Sequence, residues 1–143
     1  MKENINALDE ISKGASMGMD AINFIIDKIE DKSFKKVLVK QYKQYQEIEK
    51  EIKKIYKKYN SEDTPHKTNI VNKAMTWYGI EMKTLTDQSN SKIAELLIQG
   101  TNMGIIEGKK IANNKKISKE IQKIVNQYID MQEEILEKLK KYL

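Results

Sequence analysis

The sequence predicts an all-α fold, a four-helix bundle built from two repeated helical hairpins with an extra helix in the crossover between them. Three observations carry this. One proline and six glycines in 143 residues leave little room for a turn-rich architecture. Apolar side chains recur at about 100° per residue along five segments, the period of a helix with one buried face. Two stretches of sequence also recur 86 residues apart, and an internal repeat of this length points to a duplicated supersecondary unit.

The elements follow in order. Leu8, Ile11, Ala15, Met19, Ile22, Ile26 and Ile29 share one face of a first helix that runs to about Asp31. After a Lys-Ser-Phe turn, Val37 or Leu38, Tyr42, Tyr45, Ile48, Ile52, Ile55 and Tyr59 mark a second. Pro65 suits the first turn of a third helix, which carries Ile70, Ala74, Trp77, Tyr78 and Leu85. The polar run Gln88 to Ser91 supplies N-cap candidates for a fourth, with Ile93, Leu96, Leu97, Gly100, Gly104 and Ile111. Asn113 and Asn114 break the pattern. A fifth helix then shows Ile117, Ile121, Ile124, Tyr128, Met131, Ile135, Leu139 and Tyr142. The expected organisation is one domain over 1–143, with hairpin one at 4–60, the crossover helix at 66–87 and hairpin two at 91–143.

The repeat places Gly14-Ala15-Ser16-Met17-Gly18 on Gly100-Thr101-Asn102-Met103-Gly104, and Val39 to Glu47 on Val125 to Glu133. A connected pair of hairpins of this kind is the plan of ferritin-like bundles. Lys13 to Ala21, Met75 to Met82 and Gln99 to Gly108 carry a likeness over nearly the whole chain. The sequence resembles the ferritin-like superfamily, most closely small uncharacterised bacterial ferritin-like four-helix-bundle proteins. The resemblance implies a fold and little chemistry.

Di-iron members of that superfamily take a Glu from each of two helices and a Glu-x-x-His from each of the other two. Here Glu47-Ile-Glu-Lys50 and Glu133-Glu-Ile-Leu136 put Lys and Leu where His is needed. Glu47 and Glu133 also fall opposite their apolar stripes, and the single histidine, His66, lies in a polar loop. Three other carboxylates lie on or near apolar arcs: Glu49, Glu107 and Glu81. A buried carboxylate needs a partner, so these three, with Asp20 as a further candidate, are the residues from which an oxygen-only Fe or Mn site would be built. The expectation is that they turn outward at the margins and that no cofactor is bound.

Glycine inside a helix costs about 0.5–1 kcal/mol relative to alanine, so Gly14, Gly18, Gly100, Gly104 and Gly108 require compensation. Close helix packing is the expected reason; the alternative is a ligand-sized groove beside Tyr42 and Tyr128. Neither strip follows a strand, as a phosphate-binding loop does.

All 26 basic residues are lysine, against 21 acidic ones, for a net charge of +5. On the second helix Lys50 and Lys54 stand three residues after Glu47 and Glu51, the spacing of surface pairs. Without arginine there is no bidentate fork for reading guanine, so no specific nucleic-acid partner is expected. Cysteine is absent, which excludes thiolate catalysis and disulfides. No serine sits on a nucleophile turn, so a non-catalytic binding or structural protein is expected, with a metal-binding or redox protein as the alternative and the ligand unspecified. The first helix is apolar over more than one face, because Met17, Ala21 and Phe24 lie opposite Ala15, Met19 and Ile22. Either the third helix, which carries Trp77, or a second copy of the chain would cover that surplus, and a homodimer through the first and third helices is the preferred expectation. No apolar leader or uncharged 18-residue run is present, and the expectation is a cytoplasmic chain without membrane insertion.

Overall fold

The computed structural model describes residues 2–59 and 73–143, with side chains from Tyr78 onward in the second stretch. Pro65, His66, the start of the expected crossover helix and the Trp77 side chain lie outside the described residues. Five α-helices and one short 3-10 turn account for the architecture, and no strand occurs among the described residues. Helix α1 spans Lys2–Ile25 and passes through the 3-10 turn Ile26–Lys28 to α2, Lys32–Tyr59. Then follow α3, Lys73–Lys83, α4, Asn90–Ala112, and α5, Lys119–Lys140. The closest pairings are α1 with α2 and α4 with α5; α1 also touches α4 and α5, α2 touches α5, and α3 lies on α1 and α4.

Side chains at the helix ends explain the boundaries. Asp31 accepts from the backbone N–H of Phe34 at 3.0 Å, satisfying a donor the first turn of α2 would otherwise leave free. The expected Lys-Ser-Phe turn is therefore the first turn of α2. Ser89 and Ser118 cap α4 and α5 through Lys92 and Ile121, each at 3.3 Å. The same residues tie the two hairpins together. Asn90 donates to Asp31 at 3.2 Å, and Asn4 accepts from the backbone of Ser118 at 2.8 Å. Phe34 stacks on Tyr142 with ring centroids 4.2 Å apart, and the Tyr142 hydroxyl lies 2.7 Å from that of Ser33.

The core is one cluster drawing on all five helices, with Leu8, Ile11, Phe34, Leu38, Ile52, Tyr56, Ile93, Leu96 and Ile121 essentially sealed. The register of the two halves differs between helices. An offset of 86 carries buried Ala7, Leu8, Ile11, Ala15 and Ile22 of α1 onto buried positions of α4. For α2 and α5 the burial corresponds at 87 instead: Phe34, Leu38, Gln41, Tyr45, Ile48 and Ile52 match Ile121, Val125, Tyr128, Gln132, Ile135 and Leu139. One residue is about 100° of helix. The sequence match of Tyr42 to Tyr128 thus joins a half-buried side chain to a buried one.

The lysines are on the outer faces. Lys50 and Lys54 each approach the glutamate three residues earlier, Glu47 and Glu51, at 3.6 Å; Lys58 reaches Glu120 of α5 at 3.0 Å. These pairs are exposed, and exposed pairs contribute about 0–1 kcal/mol each. No helix among the described residues is long and apolar enough to cross a membrane.

Candidate functional site: a glycine-lined cavity

Glycines at i and i+4 fall on one helix face, so α1 and α4 each present a strip without side chains. What faces those strips is aromatic. A Cβ on Gly14 would strike the Tyr128 hydroxyl, and one on Gly18 would lie 2.6–2.7 Å from carbons of the Tyr45 ring. On α4, a Cβ at Gly100 would meet the Tyr78 ring and hydroxyl at 2.6 Å; at Gly104, the Gln132 amide at 2.6 Å; at Gly108, Ile129 at 2.7 Å. The glycines admit side chains of neighbouring helices rather than another backbone.

The same strips line a cavity of about 290 Å³. Its walls are α1 and α4, and its floor is made by Gln41 and Tyr45 of α2, Tyr78 of α3, and Tyr128 and Gln132 of α5. Ile11, Ile22, Leu97, Ile135 and Leu139 supply apolar lining, with Met17 and Met103 half-buried nearer the outside. Glu10, Ile106 and Glu107 also line it and are exposed, which places the opening on their side.

A polar cluster crosses the floor. Tyr45 donates to the side-chain oxygen of Gln132 at 3.1 Å and lies near Thr101, whose own hydroxyl donates to the backbone oxygen of Leu97 at 2.8 Å. Gln132 also lies close enough to Tyr128 to oppose part of the effect of burial on its hydroxyl. Burial pushes the Tyr128 hydroxyl up to about 12 and raises Tyr45 and Tyr78 as well. All three stay neutral donors at physiological pH. No charged side chain lies on the floor among the described residues.

No protein-family model matches the chain, and neither a curated protein nor a solved structure matches it. The site therefore rests on its own geometry.

The carboxylates considered as metal ligands are placed separately. Glu49, half-buried on α2, accepts from Ser12 of α1 at 2.8 Å. Glu107 is exposed at the cavity opening and pairs with Lys110 at 3.5 Å. Glu81 is half-buried on α3 and Asp20 is exposed on α1. Among the described residues no group of three or more His, Cys, Asp or Glu is arranged to hold a metal ion. Glu47 and Glu133 are exposed and paired with Lys50 and Lys109.

Gln41, Tyr45, Thr101 and Gln132 are not among the residues singled out from the sequence as a site; of the groove expected beside Tyr42 and Tyr128, Tyr128 lines the cavity and Tyr42 does not. A signal was present. Gln41 and Gln132 each interrupt an otherwise apolar arc, between Leu38 and Tyr45 and between Tyr128 and Ile135. A glutamine at such a position on both hairpins marks a polar layer in the core.

The buried tyrosines give a pH prediction. A tyrosine whose folded pKa exceeds its unfolded value near 10 keeps its proton in the folded chain while the unfolded chain loses it. Its contribution is complete below about pH 10 and declines as pH rises from there through 12. Titration of tyrosinate absorbance is expected to show at least three of the seven tyrosines ionising only as the protein unfolds. All seven ionising near pH 10 with the far-ultraviolet spectrum intact would contradict the buried floor.

Proposed function

We propose that this chain is a ferritin-like helical bundle lacking the Glu-x-x-His ligands, and that it acts as a non-catalytic protein binding a small molecule between α1 and α4. The observation that carries this reading is the cavity: 290 Å³, mostly apolar, with a few convergent polar groups, which are the attributes of small-molecule sites. The hairpin, connection and hairpin order of the helices supports the ferritin-like assignment, and the α1 and α4 burial correspondence supports a duplicated origin. Catalysis is disfavoured by the uncharged floor, where neutral tyrosines and amides supply hydrogen bonds but no general base.

Calorimetry with indole, a neutral bicyclic probe, tests the reading. Saturable binding is expected, and it should vanish in Met103→Trp, which fills the cavity from its outer wall, while the helical spectrum is retained. Titration with Fe(II) and Mn(II) addresses the alternative of a carboxylate metal or redox site at Glu49, Glu107 and Glu81. Stoichiometric metal uptake abolished by Glu107→Ala, together with no indole binding, would replace the small-molecule reading.

The proposed homodimer through α1 and α3 draws support from Phe24 and Ile80, large apolar side chains exposed on those helices. Light scattering at high micromolar concentration is expected to give twice the 16.7 kDa chain mass. A monomer under those conditions removes the dimer and leaves the cavity untouched.

A further inference from the structure

The floor of the cavity contains one buried donor with nothing to bind. The Gln41 side chain is 2% exposed, lines the cavity, and its Nε2 meets no hydrogen-bond partner among the described residues. A buried amide donor left unpaired costs about 1–3 kcal/mol, and such groups are few in folded proteins. Beside it, Tyr45 donates to Gln132 and Thr101 to the Leu97 backbone, and among the described residues no other buried polar side-chain atom of the lining lacks a partner. The unmet demand is therefore localised at Gln41 and is a demand for an acceptor.

We propose that Gln41 is the specificity-determining residue of the cavity, and that the ligand is an uncharged, predominantly apolar molecule whose single accepting oxygen, as in a ketone, ester or alcohol, receives the Gln41 amide. The proposal rests on the small-molecule reading above and gives it a ligand class. Three features set the class. The lining away from Gln41 is mostly apolar side chains and aromatic rings, with the charged Glu10, Lys13 and Glu107 exposed or half-buried, so most of the ligand is hydrocarbon. Among the described residues the one lysine of the lining, half-buried Lys13, shares it with the carboxylates Glu10 and Glu107, and no cation stands beside Gln41 on the floor, so a carboxylate or phosphate placed there loses its hydration without a counter-charge. Size follows from volume: a 150 Å³ apolar cavity holds benzene, so 290 Å³ takes about 10–15 non-hydrogen atoms by the same scaling. The oxygen end points inward at Gln41, and the hydrocarbon end lies toward Met17 and Met103, where Ile106 is exposed at the opening.

Three probes of nearly equal shape separate the possibilities: 2-isopropenylnaphthalene, 2-acetylnaphthalene and 2-naphthoate. The ketone is expected to bind at least tenfold more tightly than either of the others. In Gln41→Leu its advantage over the hydrocarbon should disappear, while the hydrocarbon binds as well as before or better. Independently of that variant, a side-chain amide proton of a glutamine should shift downfield in nitrogen–proton correlation spectra on addition of the ketone and not of the hydrocarbon. Equal affinities for ketone and hydrocarbon in the unaltered protein, with no amide shift, overturn the role of Gln41 and leave the cavity reading standing. Tightest binding of 2-naphthoate overturns the uncharged class. Failure of all three probes, and of indole, to saturate the folded protein overturns the cavity reading as well.

Discussion

Gly18→Ala is expected to destabilise the protein, and Gly79→Ala to stabilise it. Alanine is ordinarily the better helix residue by about 1 kcal/mol, and both glycines lie within helices. Their surroundings reverse the sign. At Gly18 the added methyl would come within 2.6–2.7 Å of Tyr45 ring carbons. The ring cannot withdraw freely, because its hydroxyl is held by Gln132. Overpacking of this kind costs about 1–3 kcal/mol, and the anchored ring puts Gly18 toward the upper end, for a net loss of about 1–2 kcal/mol after the propensity gain. At Gly79 a Cβ meets nothing within 4 Å among the described residues, so the gain of about 0.5–1 kcal/mol is kept. Thermal or urea unfolding of the two variants checks the pair. A Gly18→Ala protein as stable as the parent would mean that Tyr45 moves into the cavity without penalty.

The larger effect is expected at Phe34. The ring is fully buried in the first turn of α2 and is stacked on Tyr142 at an interplanar angle of 7°. Truncation to alanine removes the ring from the core and leaves Tyr142 without its partner, and losses for buried phenylalanine run to about 3–5 kcal/mol. Tyr142→Ala, at a half-buried site beyond the end of α5, should cost considerably less. In urea, the Phe34→Ala midpoint should fall with little change in slope. A loss below about 1 kcal/mol would show that the α2 start and the chain end are not packed together as described, since full burial of an aromatic ring alone exceeds that.

Helix positions were legible because a buried face leaves a period near 3.6 in the sequence, and the polar run Gln88 to Ser91 announces the start of α4. The α2 boundary was less so. Asp31 reads equally well as the end of one helix or the cap of the next, and only its bond to Phe34 decides between them. The cavity was hidden by a choice of stripe. Tracing α2 through Tyr42 and α5 through Met131 gives well-formed apolar arcs, yet the buried residues are Gln41 and Gln132, one position away on each helix. Glu107 illustrates a different difficulty. It shares an arc with Gly100, Gly104 and Ile111, but an arc of glycines has no side chains to enclose a neighbour, so Glu107 ends on the lip of the cavity.

The offset of 87 between α2 and α5 has a stereochemical consequence. At corresponding positions the residues are exchanged: glutamine in one half stands where tyrosine stands in the other, Gln41 with Tyr128 and Tyr45 with Gln132. Matching residues at those positions would receive a guest head-first or tail-first with similar ease. This floor offers an open amide on one side and a hydrogen-bonded phenol–amide pair on the other. For the guest proposed above, if it has distinguishable ends or a handedness of its own, such a floor would favour one pose and would tell mirror-image forms apart without using charge.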